Sequence, residues 1–127
     1  MKENGKFCIL FMAWLPGESE IAQRTEELVL KYNPAWTGGG IKRHLPKETP
    51  KWAKPLFEAA DIIGFDVNVR FTRETWFGRM KSCRGIGASN LPVEVIAAFE
   101  KDLAVYLETA PQEFDVLHYV TVLNLRK

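Results

Sequence analysis

The stretch KFCILFMAWLPGESEIAQ, Lys6–Gln23, decides how the rest of the chain is read. Phe7 to Leu15 is apolar without alternation, so Lys6–Trp14 reads as a strand with apolar side chains on both faces. Asn4-Gly5 turns the chain into it, and Pro16-Gly17 stops it. Strands of this kind normally sit inside a sheet covered on both sides. The rest of the chain must therefore supply its neighbours, or leave it open.

Working outward, the segment from about Glu18 to Tyr32 reads as a helix. Ile21, Thr25, Leu28, Val29 and Tyr32 share one face at helical spacing. Glu18 and Glu20 suit its positive N-terminal end, and Asn33-Pro34 ends it. Residues 34–50, PAWTGGGIKRHLPKETP, carry three glycines and three prolines and read as a loop. Loops of that length are commonly lids or binding loops. A helix is expected over Lys51–Ala60, broken by Gly64, and a strand over Phe65–Phe71, FDVNVRF, which alternates apolar and polar side chains. Thr72 caps a short helix, RETWFGRMKSC, and RGIGASN connects it to an amphipathic helix from Pro92 to Thr109. Ile96, Phe99, Leu103 and Leu107 line the buried side of that last helix. Ala110-Pro111 closes it, and FDVLHYVTVLNL, Phe114–Leu125, is a long final strand. Three strands and four helices in this order predict a single α/β or α+β domain.

The chain's 127 residues suffice for one domain with a real core. Its net charge of +1, from 17 basic and 16 acidic residues, argues for neither nucleic acid nor an anionic membrane surface as a partner. No segment reads as a membrane span or signal peptide, so the cytoplasm is the expected compartment. Cys8 reads as a small buried hydrophobe. Cys83, between Lys81 and Arg84, is either structural or a thiol of lowered pKa. Neither belongs to a zinc spacing.

Gly85-x-Gly87 and Thr37-Gly38-Gly39-Gly40 both lack the strand that precedes a dinucleotide-binding glycine turn, so both read as connectors. His44 is an exposed loop histidine or a base, and His118 a satisfied strand histidine or a base. Neither has a serine or acid signature beside it. Trp14, Tyr32, Trp36, Trp52 and Trp76 are core residues or the lining of a pocket for an apolar or cationic substrate. Arg70, Arg73, Arg79 and Arg84 are solvated helix charges or grips for a carboxylate or phosphate. Arg79, among bulky apolar neighbours, is the best candidate of the four.

At these residues the chain resembles a known family. KENGKFCILFMAWLP, Lys2–Pro16, is similar to the fifth strand of class I S-adenosylmethionine-dependent methyltransferases. The stretch from Phe65 to Leu125, and FTRETWFGRMKSCRGIGAS within it most specifically, resembles the tail of bacterial small-molecule methyltransferases of that superfamily. There a sixth strand is followed by helices over the pocket and then a seventh strand, which runs antiparallel between the fifth and the sixth. The resemblance implies the C-terminal portion of a Rossmann-like fold, a three-stranded mixed sheet in the order first-last-middle. It implies an S-adenosylmethionine cofactor in a longer enzyme. The family's glycine-rich loop and following acidic residue have no counterpart in these residues, so Met1 reads as an imposed or internal start and the isolated chain as inactive.

The same resemblance implies that Ala13 and Leu15 face the cofactor. It implies that Trp14, Tyr32, Trp36, Arg79 and Arg84 belong to the site of a small-molecule substrate. It identifies no catalytic residue and no metal. Two alternatives stay open: a stand-alone α+β ligand-binding or interaction domain without catalysis, and a homodimer that pairs through an open sheet edge.

Overall fold

The computed structural model describes residues 5–46 and 48–126, the side chains of 58–60 excepted. It is an α/β arrangement of three strands and three α-helices among those residues. Strand β1 is Lys6–Trp14, and a single 3-10 turn, Pro16–Glu18, leads into helix α1, Glu20–Tyr32. Strand β2 is Glu58–Thr72, helix α2 Arg73–Lys81, helix α3 Val93–Thr109 and strand β3 Glu113–Arg126.

The sheet order is β1-β3-β2, so the last strand lies between the first and the middle one, as expected. Both pairings are antiparallel, which corrects the expectation of a mixed sheet. β1 and β2 do run in the same direction, but β3 separates them and they share no ladder. Trp14 is opposite His118, and Val67 faces the same histidine from the other side.

The expected helix over 51–60 is not formed. Residues 51–56 make turns that hang on the Pro50 and Ala53 carbonyls, and β2 begins at Glu58. Pro55 explains this, since it has no N–H to extend a helical ladder past the first turn. Gly64, expected to end an element, lies inside β2 opposite Thr121. A Cβ there would come within 2.6 Å of Leu45 and 2.7 Å of the Tyr119 hydroxyl, so the missing side chain makes room for the loop crossing that face. The helix count therefore falls from the expected four to three.

The helices pack on one end of one sheet face. Trp76, Phe99, Met80, Ile86, Leu103, Val29 and Val116 are its largest fully buried apolar residues together with Leu125 of the opposite face. The indole N–H of Trp76 donates to Thr25 Oγ1 at 3.0 Å, and that hydroxyl donates onward to the Ile21 carbonyl at 2.7 Å. A reciprocal cap between Thr72 and Thr75 starts α2 directly at the end of β2. On the opposite face residues 44–46 and 48–57 lie across the sheet. Ala53 and Phe57 pack on Ile9, Leu123 and Leu125 there, while His44 lies beside Phe11 and Tyr119.

Beyond the helices the first face is bare. Leu10 is 64% exposed, Met12 44%, Ile63 50% and Phe65 48%. β1 is an edge strand, not the covered interior strand its composition predicts. Cys8 shares this bare face and is exposed, which corrects its reading as a buried hydrophobe.

Candidate functional site

The end of β1, the end of α2 and the middle of β3 enclose a cleft of about 690 Å³. Ala13, Trp14, Trp36, Arg79 and Arg84 all line it, so five of the seven residues singled out by resemblance meet in one place. Leu15 does not join them. It is buried and lines a neighbouring cleft of about 650 Å³, with Glu18, Glu26 and Arg43. Tyr32 is elsewhere: its hydroxyl donates to Asp102 at 2.6 Å and clamps α1 to α3, alongside Lys31 at 2.6 Å from the same oxygen. Trp76 is core and Trp52 lies exposed against Phe7 on the opposite face.

Trp14 organises the cleft. As the last residue of β1 it is held by the antiparallel ladder to His118. Its indole N–H donates to Glu26 Oε1 at 2.6 Å, and the other carboxylate oxygen accepts from the Gly40 backbone N–H at 2.8 Å. Glu26 is buried, so this one carboxylate ties the strand end, helix α1 and the glycine loop together. Gly40 has φ of 68°, a conformation open to glycine at little cost. Over the Trp14 ring stands the Arg79 guanidinium, 5.1 Å from the ring centre.

The glycine clusters serve Trp36. A Cβ on Gly38 would come within 2.6 Å of the Trp36 indole nitrogen, and one on Gly39 within 2.9 Å of its ring. A Cβ on Gly85, from the other cluster, would come within 3.1 Å of a Trp36 ring atom and 2.8 Å of Val29. Asn33 fixes this junction by donating to the Gly85 carbonyl at 2.8 Å. The glycines let two loops close on an indole, and neither cluster follows a strand and leads into a helix: one lies between α1 and β2, the other between α2 and α3.

His118, read from sequence as a satisfied strand histidine or a base, also lines the cleft, although the resemblance does not assign it there. Its Nδ1 is 2.8 Å from the Val116 carbonyl, which can only accept, so Nδ1 carries the proton. Burial holds the imidazole pKa below its ordinary value; the Val116 carbonyl opposes this and the Arg79 charge reinforces it. The neutral ring therefore keeps a free lone pair on Nε2. No buried side-chain nitrogen or oxygen lacks a hydrogen-bond partner among the described residues, and Nε2 has none, so Nε2 opens to accessible space. The signal for His118 is its register with Trp14, which exists only once the strand order is known. Glu26 had a visible signal, a carboxylate one helical turn from Ala22 on the apolar face of α1.

Arg43 closes the neighbouring cleft. It donates to both oxygens of Glu18 and both of Asp66, fastening the loop between the turn after β1 and strand β2. Its hydrogen bonds, aided by its charge, hold both carboxyls below their ordinary pKa against the effect of burial. Among the described residues no cluster of His, Cys, Asp or Glu could hold a metal ion, and no helix is long and apolar enough to cross a membrane. No family model, curated protein or solved structure gives a match to this chain.

Proposed function

We propose that this chain is the substrate-binding, C-terminal part of an S-adenosylmethionine-dependent class I methyltransferase acting on a small molecule. The observation that supports this most is the sheet. Its order is β1-β3-β2 with the last strand antiparallel to both others, the order the resemblance implies for strands five, seven and six. The cleft at the C-terminal end of β1 adds support, because ligands of open α/β sheets bind outside strand ends. The bare edge and apolar face of β1 are of the kind that further strands and helices cover.

The residues present do not make a site for the cofactor. Ala13 and Leu15 open onto different clefts; among the described residues no carboxylate lines the Trp14 cleft, and those of the Leu15 cleft, Glu18, Glu26 and Glu27, are already engaged by Arg43, by Trp14 and Gly40, and by Arg24. The chain by itself is accordingly a substrate-side wall, and no step of methyl transfer is assigned to its side chains. Calorimetric titration tests this: residues 1–127 should take up S-adenosylmethionine weakly or not at all, and micromolar binding would contradict the reading. A second reading, a stand-alone ligand-binding domain, is favoured by one fact. The Trp14 cleft is lined by this chain's own residues on four elements, β1, β2, α2 and β3, and on the loop at 36–41.

A further inference from the structure

The chain has seven arginines, and five of them have acceptors in reach. Arg24 pairs with Glu27, Arg43 with Glu18 and Asp66, and Arg70 with Asp115. Arg73 donates to the Ala110 carbonyl, and Arg126 lies 3.7 Å from Asp61. Arg79 and Arg84 have no hydrogen-bonded or ion-paired acceptor among the described residues, and both line the Trp14 cleft. Among the described residues no Asp or Glu lines that cleft, and the Glu26 carboxylate behind Trp14 has both oxygens taken by N–H donors, so the charged groups on the wall are the two guanidiniums beside the aromatic rings. A guanidinium fork suits the planar geometry of a carboxylate, and indole faces suit a planar ring.

Two further facts narrow the ligand. Arg79, Ser82 and Cys83 belong to the C-terminal end of α2 and the residues just after it, where the helix dipole is negative. That end repels any anion, a dianionic phosphate about twice as strongly as a carboxylate, and it lacks the N–H groups with which helix N-termini meet phosphates, so a singly charged group held by the two guanidiniums is favoured. His118 lines the cleft, and its unprotonated Nε2, which has no partner among the described residues, accepts a hydrogen bond and offers none. A ligand satisfying it must carry a donor such as a hydroxyl.

We propose that the Trp14 cleft binds a small hydroxylated aromatic carboxylate, its carboxylate on Arg79 and Arg84, its ring against Trp14 and Trp36, and its hydroxyl donating to His118. The inference rests on reading this cleft as the substrate site of the proposed methyltransferase, and it names the substrate class.

The test is a titration of the whole chain, followed by tryptophan fluorescence and calorimetry. The probes are the three monohydroxybenzoates, benzoate, the corresponding hydroxybenzamides and phenyl phosphate. At least one hydroxybenzoate should bind about tenfold or more tightly than its uncharged amide, since hydrogen bonds to charged groups are the stronger ones. It should also bind more tightly than benzoate and phenyl phosphate. Arg79→Met and Arg84→Met, both at exposed positions, should each weaken it by roughly tenfold. Arg70→Met, which removes an arginine outside the cleft, should leave it unchanged, with circular dichroism confirming the fold of all three variants. Equal binding of amide and carboxylate overturns the inference, as does tighter binding of phenyl phosphate, insensitivity to both cleft arginines, or no binding by any probe. Failure here leaves the methyltransferase reading to its own test, since the cofactor titration uses none of these probes.

Discussion

Replacing Glu26 by alanine should destabilise the protein and loosen the candidate site together. The carboxylate accepts from the Trp14 indole at 2.6 Å and from the Gly40 backbone at 2.8 Å, and it is buried. Hydrogen bonds to a charged group contribute roughly 1.5–3 kcal/mol each, and both donors would be left without a partner. Removing a buried carboxylate returns part of its desolvation cost, so a net loss of about 2–4 kcal/mol is expected. In urea, where stability falls by roughly 1–3 kcal/mol per molar denaturant, that is a midpoint lower by about 1–2 M. Glu26→Gln retains one acceptor but sets an amide N–H against the other donor, and should lose about half as much. Exchange of the Gly40 amide should quicken in both variants. A Glu26→Ala protein within about 0.5 kcal/mol of its parent, at unchanged denaturant slope, would refute the claim that this carboxylate holds strand, helix and loop together.

Other consequences are equally direct. His118 is held below its ordinary pKa of 6.5, so the unfolded chain takes up the proton first as the pH falls. Its contribution is therefore complete above about pH 6.5 and erodes below it, and the urea midpoint should drop more between about pH 7.5 and pH 5.5 in the parent than in His118→Gln; equal drops would contradict this. A Cβ on Gly87 would stand 1.7 Å from the Lys81 carbonyl oxygen, whereas one on Gly78 meets nothing within 4 Å. Gly87→Ala should thus cost about 2 kcal/mol or more, while Gly78→Ala, inside α2, should gain about 0.5–1 kcal/mol in the same urea series. Trp76→Phe empties core volume and leaves the Thr25 hydroxyl one donor short, for a loss of about 2–4 kcal/mol by thermal or urea unfolding.

The sequence carries the helices well, because their signals are local. The stripe Ile21, Thr25, Leu28, Val29 of α1 and the series Phe99, Leu103, Leu107 of α3 pack as their spacing predicts. Thr72 caps α2 with its own neighbours. What the sequence hides depends on partners far along the chain. Gly64 reads as a stop, yet it is a strand residue whose absent side chain admits Leu45 and Tyr119. The apolar run Phe7 to Leu15 predicts two covered faces, but only its last residues meet the helices. His118 looks like any strand histidine until β3 is laid against β1 and sets it opposite Trp14. Both glycine clusters resemble phosphate loops in composition, and their shared purpose, seating Trp36, is visible only in three dimensions. The resemblance to methyltransferases carried Ala13, Trp14, Trp36, Arg79 and Arg84, which share one cleft, and also Leu15 and Tyr32, which do not.

The claim that this chain is the substrate side of a methyltransferase is tested most directly by reading the coding sequence immediately upstream of the codon for Met1. The account predicts an open frame continuous with this chain, encoding a strand that ends in a glycine-rich turn of the form E/D-x-G-x-G. A stop codon in frame just upstream, with a ribosome-binding site placed for Met1, would contradict it.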